Sequence, residues 1–331
     1  MIRRLIRRQR PPDRKLDMGR RDSWNRHLAS RGCWGFNDFC ETAAVALFSS
    51  NHANSLVPES ANSGPSAAAQ LPRRNAWLFR LFRRYCRRYL ARNFHAVRLS
   101  REGLLPDRGP GPLLVVMNHP SWWDPLIGLI LTELLPSWRT HYAPIDEQGL
   151  SQYPFLERLG FFGVELGSTR GSWNFLRRCQ TILSQPEATL WITPQGRFAD
   201  PRERPIRFRQ GIGHLVLRVP QVAILPIAVE YPFWNDRFPE ALIRCGPAIE
   251  ASKEPELTAQ EWTARLEQSL TETMEHLARE ACQREPRAFL TLLGGSAGVG
   301  GVYDAWRRFR ARLGGKAFVP EHQMSDHAET E

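Results

Sequence analysis

The sequence predicts an α/β fold with a mainly parallel central sheet, helices on both faces of that sheet, and a basic amphipathic helix ahead of it. The first observation is that, from residue 112 onward, short apolar runs alternate with longer amphipathic stretches. Parallel strands joined by helical crossovers have this pattern. The second is an arginine-rich stretch of helical periodicity just upstream. The chain has 331 residues, which is enough to bury a substantial core.

Residues 1–70 are predicted to be a mostly disordered extension. They join arginine-rich, proline-containing sequence to the polar, small-residue stretch NHANSLVPESANSGPSAAAQ. A segment of this composition has too little apolar surface to offset the entropy that is lost when it becomes ordered.

Residues 71–110 are predicted to be an amphipathic, membrane-docking helical segment. On a helical wheel two faces separate, with Leu78, Leu81, Phe82, Tyr85 and Tyr89 on one and Arg80, Arg83, Arg84 and Arg87 on the other. Residues 71–100 contain nine arginines and no acid. Two interpretations stay open. The helix packs on a core with a solvated polar face, or it lies on an anionic membrane surface.

Residues 111–285 are predicted to form the α/β domain, and residues 286–331 a helical and polar C-terminal tail. Strands are expected at residues 113–117, 141–145, 162–166, 188–193, 222–231 and 241–246. Helices are expected at residues 123–134, 153–159, 172–183, 211–218 and 258–284. Functional groups should gather at the carboxyl ends of the strands.

Charge and composition narrow the class of partner. The net charge of +11 comes mainly from arginine, which favours an anionic partner. No nucleic-acid-binding module is recognisable, so nucleic acid is not the expected partner. The longest apolar stretch is shorter than the roughly 20 residues of a bilayer span, and no transmembrane helix is predicted. Six scattered cysteines indicate a reducing cytosol and predict no metal site.

Two histidines each precede an aspartate by five residues, His119 with Asp124 and His141 with Asp146. His141 falls within a predicted strand, whereas His119 follows a strand end, where a general base is expected. A carboxylate on one ring nitrogen makes histidine a useful base. Asp124 also completes an S-x-x-D capping box with Ser121, so it can serve as a helix cap, as a partner of His119, or as both.

Four sequence blocks lie near predicted strand ends: NHPSWWD (118–124), GVELGSTRG (163–171), TPQGRFADPRERPIRFRQG (193–211) and VAILPIAVEY (222–231). In this order they resemble the motifs of the lysophospholipid and glycerol-phosphate acyltransferase family, beginning with its H-x-x-x-x-D motif. The resemblance covers roughly residues 75–250. It implies a role in phospholipid biosynthesis, as a 1-acyl-glycerol-3-phosphate acyltransferase-like enzyme.

The resemblance implies a reaction and roles for particular residues. A fatty acyl group passes from acyl-CoA or acyl carrier protein to a hydroxyl of a lysophospholipid-like acceptor, without a cofactor. His119 deprotonates that hydroxyl, and Asp124 orients His119. Arg170 contacts the acceptor's phosphate, and the third block, with Gln195, Gly196 and Arg197, binds substrate. The enzyme is expected to be peripheral, at the cytoplasmic face of the cell membrane.

The third block departs from the family pattern. Gln195 stands where the family has glutamate, Arg197 comes one residue earlier than the usual arginine, and Phe198 takes the arginine's place. The departure leaves open a catalytically inactive lipid-binding module of the same fold. A third alternative is a serine esterase that uses Ser296, in a G-x-S-x-G stretch at residues 294–298.

Overall fold

The computed structural model describes residues 71–72, 74–105, 109–165 and 167–296. These residues belong to one compact unit, Ala46–Glu331. The predicted extension, residues 1–70, and most of the predicted C-terminal tail lie outside the described residues.

The described residues form a nine-stranded sheet in the order β4-β3-β5-β2-β6-β7-β1-β9, with β8 paired to β6. The strands are β1 Ala96–Ser100, β2 Leu113–Met117, β3 Thr140–Asp146, β4 Phe161–Val164, β5 Ala188–Ile192, β6 Ala223–Glu230, β7 Glu240–Cys245, β8 Ile249–Glu250 and β9 Phe289–Gly294. Strands β4, β3, β5, β2 and β6 are parallel neighbours, and β1 pairs in parallel with β7. The ladders β6/β7, β6/β8 and β1/β9 are antiparallel. The predicted mainly parallel sheet is confirmed.

The helices of the described part are α1 Ala76–Asn93, α2 Asp124–Leu131, α3 Glu147–Gln152, α4 Thr169–Leu183, α5 Gly211–Arg218 and α6 Ala259–Gln283. The helix predicted at residues 153–159 is a 3-10 helix, Pro154–Leu159, that directly follows α3. The other predicted helices of the α/β domain overlap the observed ones.

The central strand β2 is buried on both faces of the sheet. Leu114 and Val116 join a core cluster with side chains of α4, α5 and α6. Leu113, Val115 and Met117 point the other way, into a cluster with side chains of α1 and α2. Successive side chains of a strand alternate between faces, so the two clusters show that helices cover both faces, as predicted.

Apart from the two-residue strand β8, two strands of the sheet were not predicted from the sequence. Strand β1 begins three residues after α1 ends, and no glycine or proline marks the change. Strand β9 is an edge strand in which Leu290 and Thr291 are exposed, and it runs into a glycine-rich stretch. Both strands lie outside residues 111–285. Their conformation depends on pairing with distant partners, which a local pattern does not reveal.

Helix α1 packs one face on the core. It begins after Asn75, whose side chain accepts hydrogen bonds at 3.0 Å from the backbone N–H groups of Trp77 and Leu78. Its buried side chains recur at helical spacing and are Phe79, Phe82, Cys86 and Leu90. One face of α1 is therefore buried against the core.

Candidate active site

The turn after β2 is tied to both neighbours of that strand. Asn118 follows Met117, the last residue of β2, and its side chain bonds the backbone N–H and C=O of Val229 in β6, at 2.8 and 3.0 Å. The next residue, His119, donates its backbone N–H to Oε1 of Gln195, in the loop after β5, at 3.0 Å. These bonds place His119 at the carboxyl edge of the sheet.

The side chains of His119 and Asp124 are in direct contact. Nδ1 of His119 lies 2.6 Å from Oδ2 of Asp124, which is the first residue of α2 and is fully buried. The same carboxylate oxygen accepts the backbone N–H of Ser121 at 3.1 Å. The carboxylate thus bonds the histidine and a backbone donor in the turn before α2, whereas the helix itself, with Trp123 at its N-cap, has no side-chain cap.

Tyr231 completes the surroundings of Asp124. It follows the last residue of β6, and its hydroxyl donates to Oδ1 of Asp124 at 2.6 Å. Burial, together with the adjacent carboxylate, raises the pKa of Tyr231 well above its usual value, so the phenol stays protonated and remains a donor. Sequence analysis did not identify Tyr231. The signal was available, because the fourth block ends with this residue.

Burial and hydrogen bonding act in opposite directions on Asp124. Burial raises the pKa of this carboxyl group, while the hydrogen bonds from His119, Tyr231 and Ser121 lower it. The net effect is a raised pKa, so the three donors offset only part of the cost of burying the carboxylate. An acceptor on Nδ1 selects the tautomer that carries its proton there and leaves Nε2 as an acceptor. A histidine held in this way can exchange a proton with a bound hydroxyl.

The third-block loop holds His119 at three points. Besides the bond from the His119 N–H to Gln195, the backbone N–H of Ala199 donates to the carbonyl oxygen of His119 at 2.9 Å. The ring of Phe198 lies against the imidazole, with ring centroids 4.4 Å apart. Phe198, which replaces the family's arginine, therefore packs on the histidine.

The other histidine and aspartate at this spacing, His141 and Asp146, do not bond to each other, in agreement with the choice of His119. Nδ1 of His141 instead accepts a hydrogen bond from the indole N–H of Trp191 at 3.4 Å. Burial, with the charges of Arg74 and Arg139 nearby, lowers the pKa of His141 to about 3. His141 is therefore neutral near pH 7. Asp146 precedes α3, but its side chain makes no capping hydrogen bond.

His119 and Asp124 line a cavity of about 570 Å³. The wall is largely apolar. It is formed near the carboxyl ends of the strands by side chains that include Leu129, Ile145, Phe161, Phe175, Ile212 and Leu215. Cavities of this volume hold small molecules and cofactors. The cavity places an apolar compartment beside the histidine.

Arg170 lies beside the cavity without lining it. It is the second residue of α4 and is exposed. Gly167 and Ser172, on either side of it in the sequence, both lie on the cavity wall. The structure therefore does not bring Arg170 to the histidine.

The three predicted residues of the third block have different positions. Gln195 is buried, with 8% of its surface exposed. Gly196 adopts a positive φ of 65° and lies on the cavity wall. Arg197 also reaches the wall, but its side chain is 56% exposed and its guanidinium pairs with Glu203. Only Gln195 bonds directly to His119.

Ser296 does not have the surroundings of a nucleophile. Its hydroxyl donates to the backbone carbonyl oxygen of Ala91, in α1, at 3.0 Å. It follows β9, an antiparallel edge strand, and the hydrogen bonds found for its hydroxyl within the described residues go to backbone carbonyl oxygens and not to a histidine. The stretch continues into Ala297 and Gly298, which lie outside the described residues. These contacts argue against the esterase alternative.

Two features are absent from the described residues. No group of three or more histidine, cysteine, aspartate or glutamate side chains there could hold a metal ion. No helix of that part is long and apolar enough to cross a bilayer. Cys179, Cys245 and Cys282 are free thiols.

An α/β domain with a carboxylate-bound histidine at the rim of an apolar cavity defines a class of protein suited to proton transfer on a bound substrate. A family model described as Acyltransferase matches residues 91–230, which include His119, Asp124 and most of the four blocks. Residues 91–230 thus belong to the acyltransferase family of the lysophospholipid and glycerol-phosphate type, and the resemblance is confirmed. None of the curated proteins compared with the chain matches it.

Proposed function

We propose that this protein is an O-acyltransferase that moves a fatty acyl group from acyl-CoA or acyl carrier protein to a hydroxyl of a lysophospholipid-like acceptor. The observation that carries the proposal is the 2.6 Å contact between Nδ1 of His119 and Oδ2 of Asp124, on the wall of a cavity within an acyltransferase-family domain. A histidine held by a carboxylate is a suitable general base for an alcohol.

The reaction needs no covalent enzyme intermediate. Nε2 of His119 takes the proton of the acceptor hydroxyl as its oxygen attacks the thioester carbonyl carbon. A C–O bond forms and the C–S bond breaks. The departing sulfur receives the proton from the imidazolium. During the reaction, Asp124 stabilises the positive charge on His119, and Tyr231 keeps Asp124 in place through its 2.6 Å hydrogen bond.

The cavity supports a lipid substrate. Its wall combines a proton-transfer pair with apolar side chains of α2, α4 and α5, and Phe79 of α1 also contributes to it. Apolar surface of this kind favours an acyl chain over a polar metabolite. The resemblance assigns the acceptor's phosphate to Arg170 and to the third block, and Arg197 is at the wall.

Docking on an anionic membrane is part of the proposal. Arg80, Arg84, Arg88 and Arg92 lie four residues apart on the exposed side of α1, and we call them the arginine ridge. No acidic residue of the described part forms an ion pair with any of the four. By contrast, Arg83 and Arg87 both pair with Glu133.

The arginine ridge is suited to lipid headgroups. An anionic leaflet attracts each nearby arginine by about 1 kcal/mol. Trp77, at the start of the same helix, is 66% exposed and can enter the headgroup region. Because Phe79 of α1 lines the cavity, docking through this helix would bring the cavity close to the membrane. We therefore assign the protein to the cytoplasmic face of the cell membrane, as a peripheral enzyme.

The proposed function is tested by mass spectrometry of the lipids that the purified protein makes from acyl-CoA or acyl carrier protein and a panel of lysophospholipids. We expect a diacyl product, and we expect His119→Ala to lower its rate by about 10²–10⁴-fold while lipid binding is kept. His276→Ala is the control, because His276 is exposed on α6 and does not line the cavity. Equal rates in His119→Ala and the wild type would remove His119 as the base.

The alternative is a catalytically inactive lipid-binding module. Its motivation is Gln195, which replaces the family's glutamate. The observed hydrogen bond weakens this motivation, because the Gln195 side chain still accepts the N–H of His119. If the wild type binds lysophospholipids but makes no product with any donor, the inactive module is the correct description.

A further inference from the structure

Two arginines of the described part lie on the cavity wall, Arg197 and Arg209, and they differ in what holds them. The guanidinium of Arg197 pairs with Glu203 and donates to the carbonyl oxygen of Phe198 at 3.2 Å. The Arg209 side chain is exposed, and neither a hydrogen bond nor an ion pair to it is found within the described residues. Arg197 is thus already compensated by a carboxylate, whereas the charge of Arg209 is available to a ligand.

The turn at Gly196 determines where the Arg209 side chain lies. A Cβ atom at position 196 would lie 2.9 Å from Cδ of Arg209 and closer still to its Nε. The backbone N–H of Arg209 donates to the carbonyl oxygen of Pro194 at 2.9 Å, which ties the two segments together. The absence of a side chain at Gly196 therefore lets Arg209 lie across the third-block loop, one residue from Gln195, which bonds His119.

The carboxylates of the wall leave this charge uncompensated. Asp124 is occupied by His119 and Tyr231. Asp146 and Glu165 also lie on the wall, and neither forms an ion pair with Arg209. A guanidinium without a carboxylate partner is suited to a phosphate group, which it can bind through two parallel N–H donors.

We propose that Arg209, and not Arg197, binds the phosphate of the acceptor lipid, from the position over Gly196 that its side chain occupies. This inference rests on the proposed function for the identity of the acceptor. Arg197 then has a different task, because its pairing with Glu203 joins two parts of the loop that holds His119. The pattern of the third block points to Arg197, whereas the geometry points to Arg209.

The test measures binding without turnover, on the full chain, by isothermal titration calorimetry. Two probes with the same acyl chain are compared, 1-dodecanoylglycerol 3-phosphate and the uncharged 1-dodecanoylglycerol. We expect Arg209→Gln to weaken binding of the phosphate probe by at least about tenfold, the usual scale of a hydrogen bond to a charged group. Binding of the uncharged probe should change little.

Two further variants test whether the effect is specific to Arg209. Arg207→Gln is the matched control, because Arg207 lies two residues away, has a 75% exposed side chain and does not line the cavity. Arg197→Gln tests the rival assignment and should weaken phosphate binding less than Arg209→Gln does. The proposal is overturned if Arg197→Gln causes the larger loss, or if Arg209→Gln weakens both probes equally.

This outcome is separate from that of the proposed function. Acyl transfer by the wild type, and its loss in His119→Ala, test the reaction alone. A wild-type protein that transfers acyl groups but binds both probes equally well would leave the reaction standing and overturn the role of Arg209.

Discussion

The side-chain oxygen of Gln195 accepts the backbone N–H of His119 at 3.0 Å, so a residue of the third block sets the position of the histidine in the first. A glutamate at this position would present the same kind of acceptor oxygen. Glutamine keeps the hydrogen bond and removes a negative charge from a position that is only 8% exposed. The departure from the family pattern therefore preserves the geometry of the proposed base.

Gln195→Ala should lower both activity and stability. The backbone N–H of His119 would lose its acceptor, which costs about 1–3 kcal/mol when the group is shielded from water. Gln195→Glu should keep the hydrogen bond and stay much closer to the wild type in acyl transfer. Turnover rates and urea unfolding of the two variants measure this difference. Equal rates in the two variants would show that the bond does not position His119.

Tyr231→Phe should remove a hydrogen bond that holds Asp124, the carboxylate that bonds His119. The phenylalanine keeps the ring and removes the donor to Oδ1 of Asp124, which leaves one oxygen of a buried carboxylate unpaired. Loss of a hydrogen bond to a charged group costs about 1.5–3 kcal/mol, and we expect that loss in the free energy of unfolding, with a lower turnover rate. Wild-type values of both quantities would contradict a supporting role for Tyr231.

Glu230 should make the stability of the protein depend on pH. Burial, against the opposing charges of Arg204 and Arg202, raises the pKa of this carboxyl group from 4.5 to about 7. The folded protein then holds a proton that the unfolded chain releases, so the contribution is present below about pH 4.5 and is lost as the pH rises to about 7. Above that pH the loss is complete.

Replacement of Glu230 by glutamine should remove this dependence. The stability of Glu230→Gln relative to the wild type should increase between about pH 4.5 and pH 7 and stay constant above it. Urea unfolding of both proteins at a series of pH values measures the difference. A difference that is constant over the whole range would show that Glu230 has an ordinary pKa.

The arginine ridge should control binding to anionic vesicles. We expect Arg84→Glu with Arg88→Glu to weaken binding by at least about tenfold, because each arginine near the surface contributes about 1 kcal/mol. The matched control is Arg177→Glu with Arg279→Glu. It makes the same change in net charge as the ridge variant, at exposed positions of α4 and α6. Flotation with anionic and neutral liposomes, at low and high salt, measures the effect. Equal loss in both double variants would mean that net charge, and not the ridge, drives binding.

Most of the α/β domain could be predicted because its elements are marked by local patterns. Strand β2 and helix α5 coincide with their predicted bounds, since each is an apolar or amphipathic run that ends at glycine, proline or polar residues. Strand β1 carries no such mark, and β9, although it ends at glycine, lies at the edge of the sheet with Leu290 and Thr291 exposed. They are strands because β7 and β1, respectively, supply hydrogen-bond partners from far along the chain.

The sequence by itself determined that His119 and Asp124 lie close together, because five residues, a strand end and a helix start leave little freedom. The contact between the two side chains also depends on the hydrogen bonds that join His119 to Gln195 and Ala199. Only the tertiary structure decided that Tyr231 reaches Asp124, that Arg170 lies off the cavity wall, and that Arg209 is left without a carboxylate partner among the described residues. Those relationships depend on strands and loops that meet through the sheet, and spacing along the chain does not encode such long-range pairing.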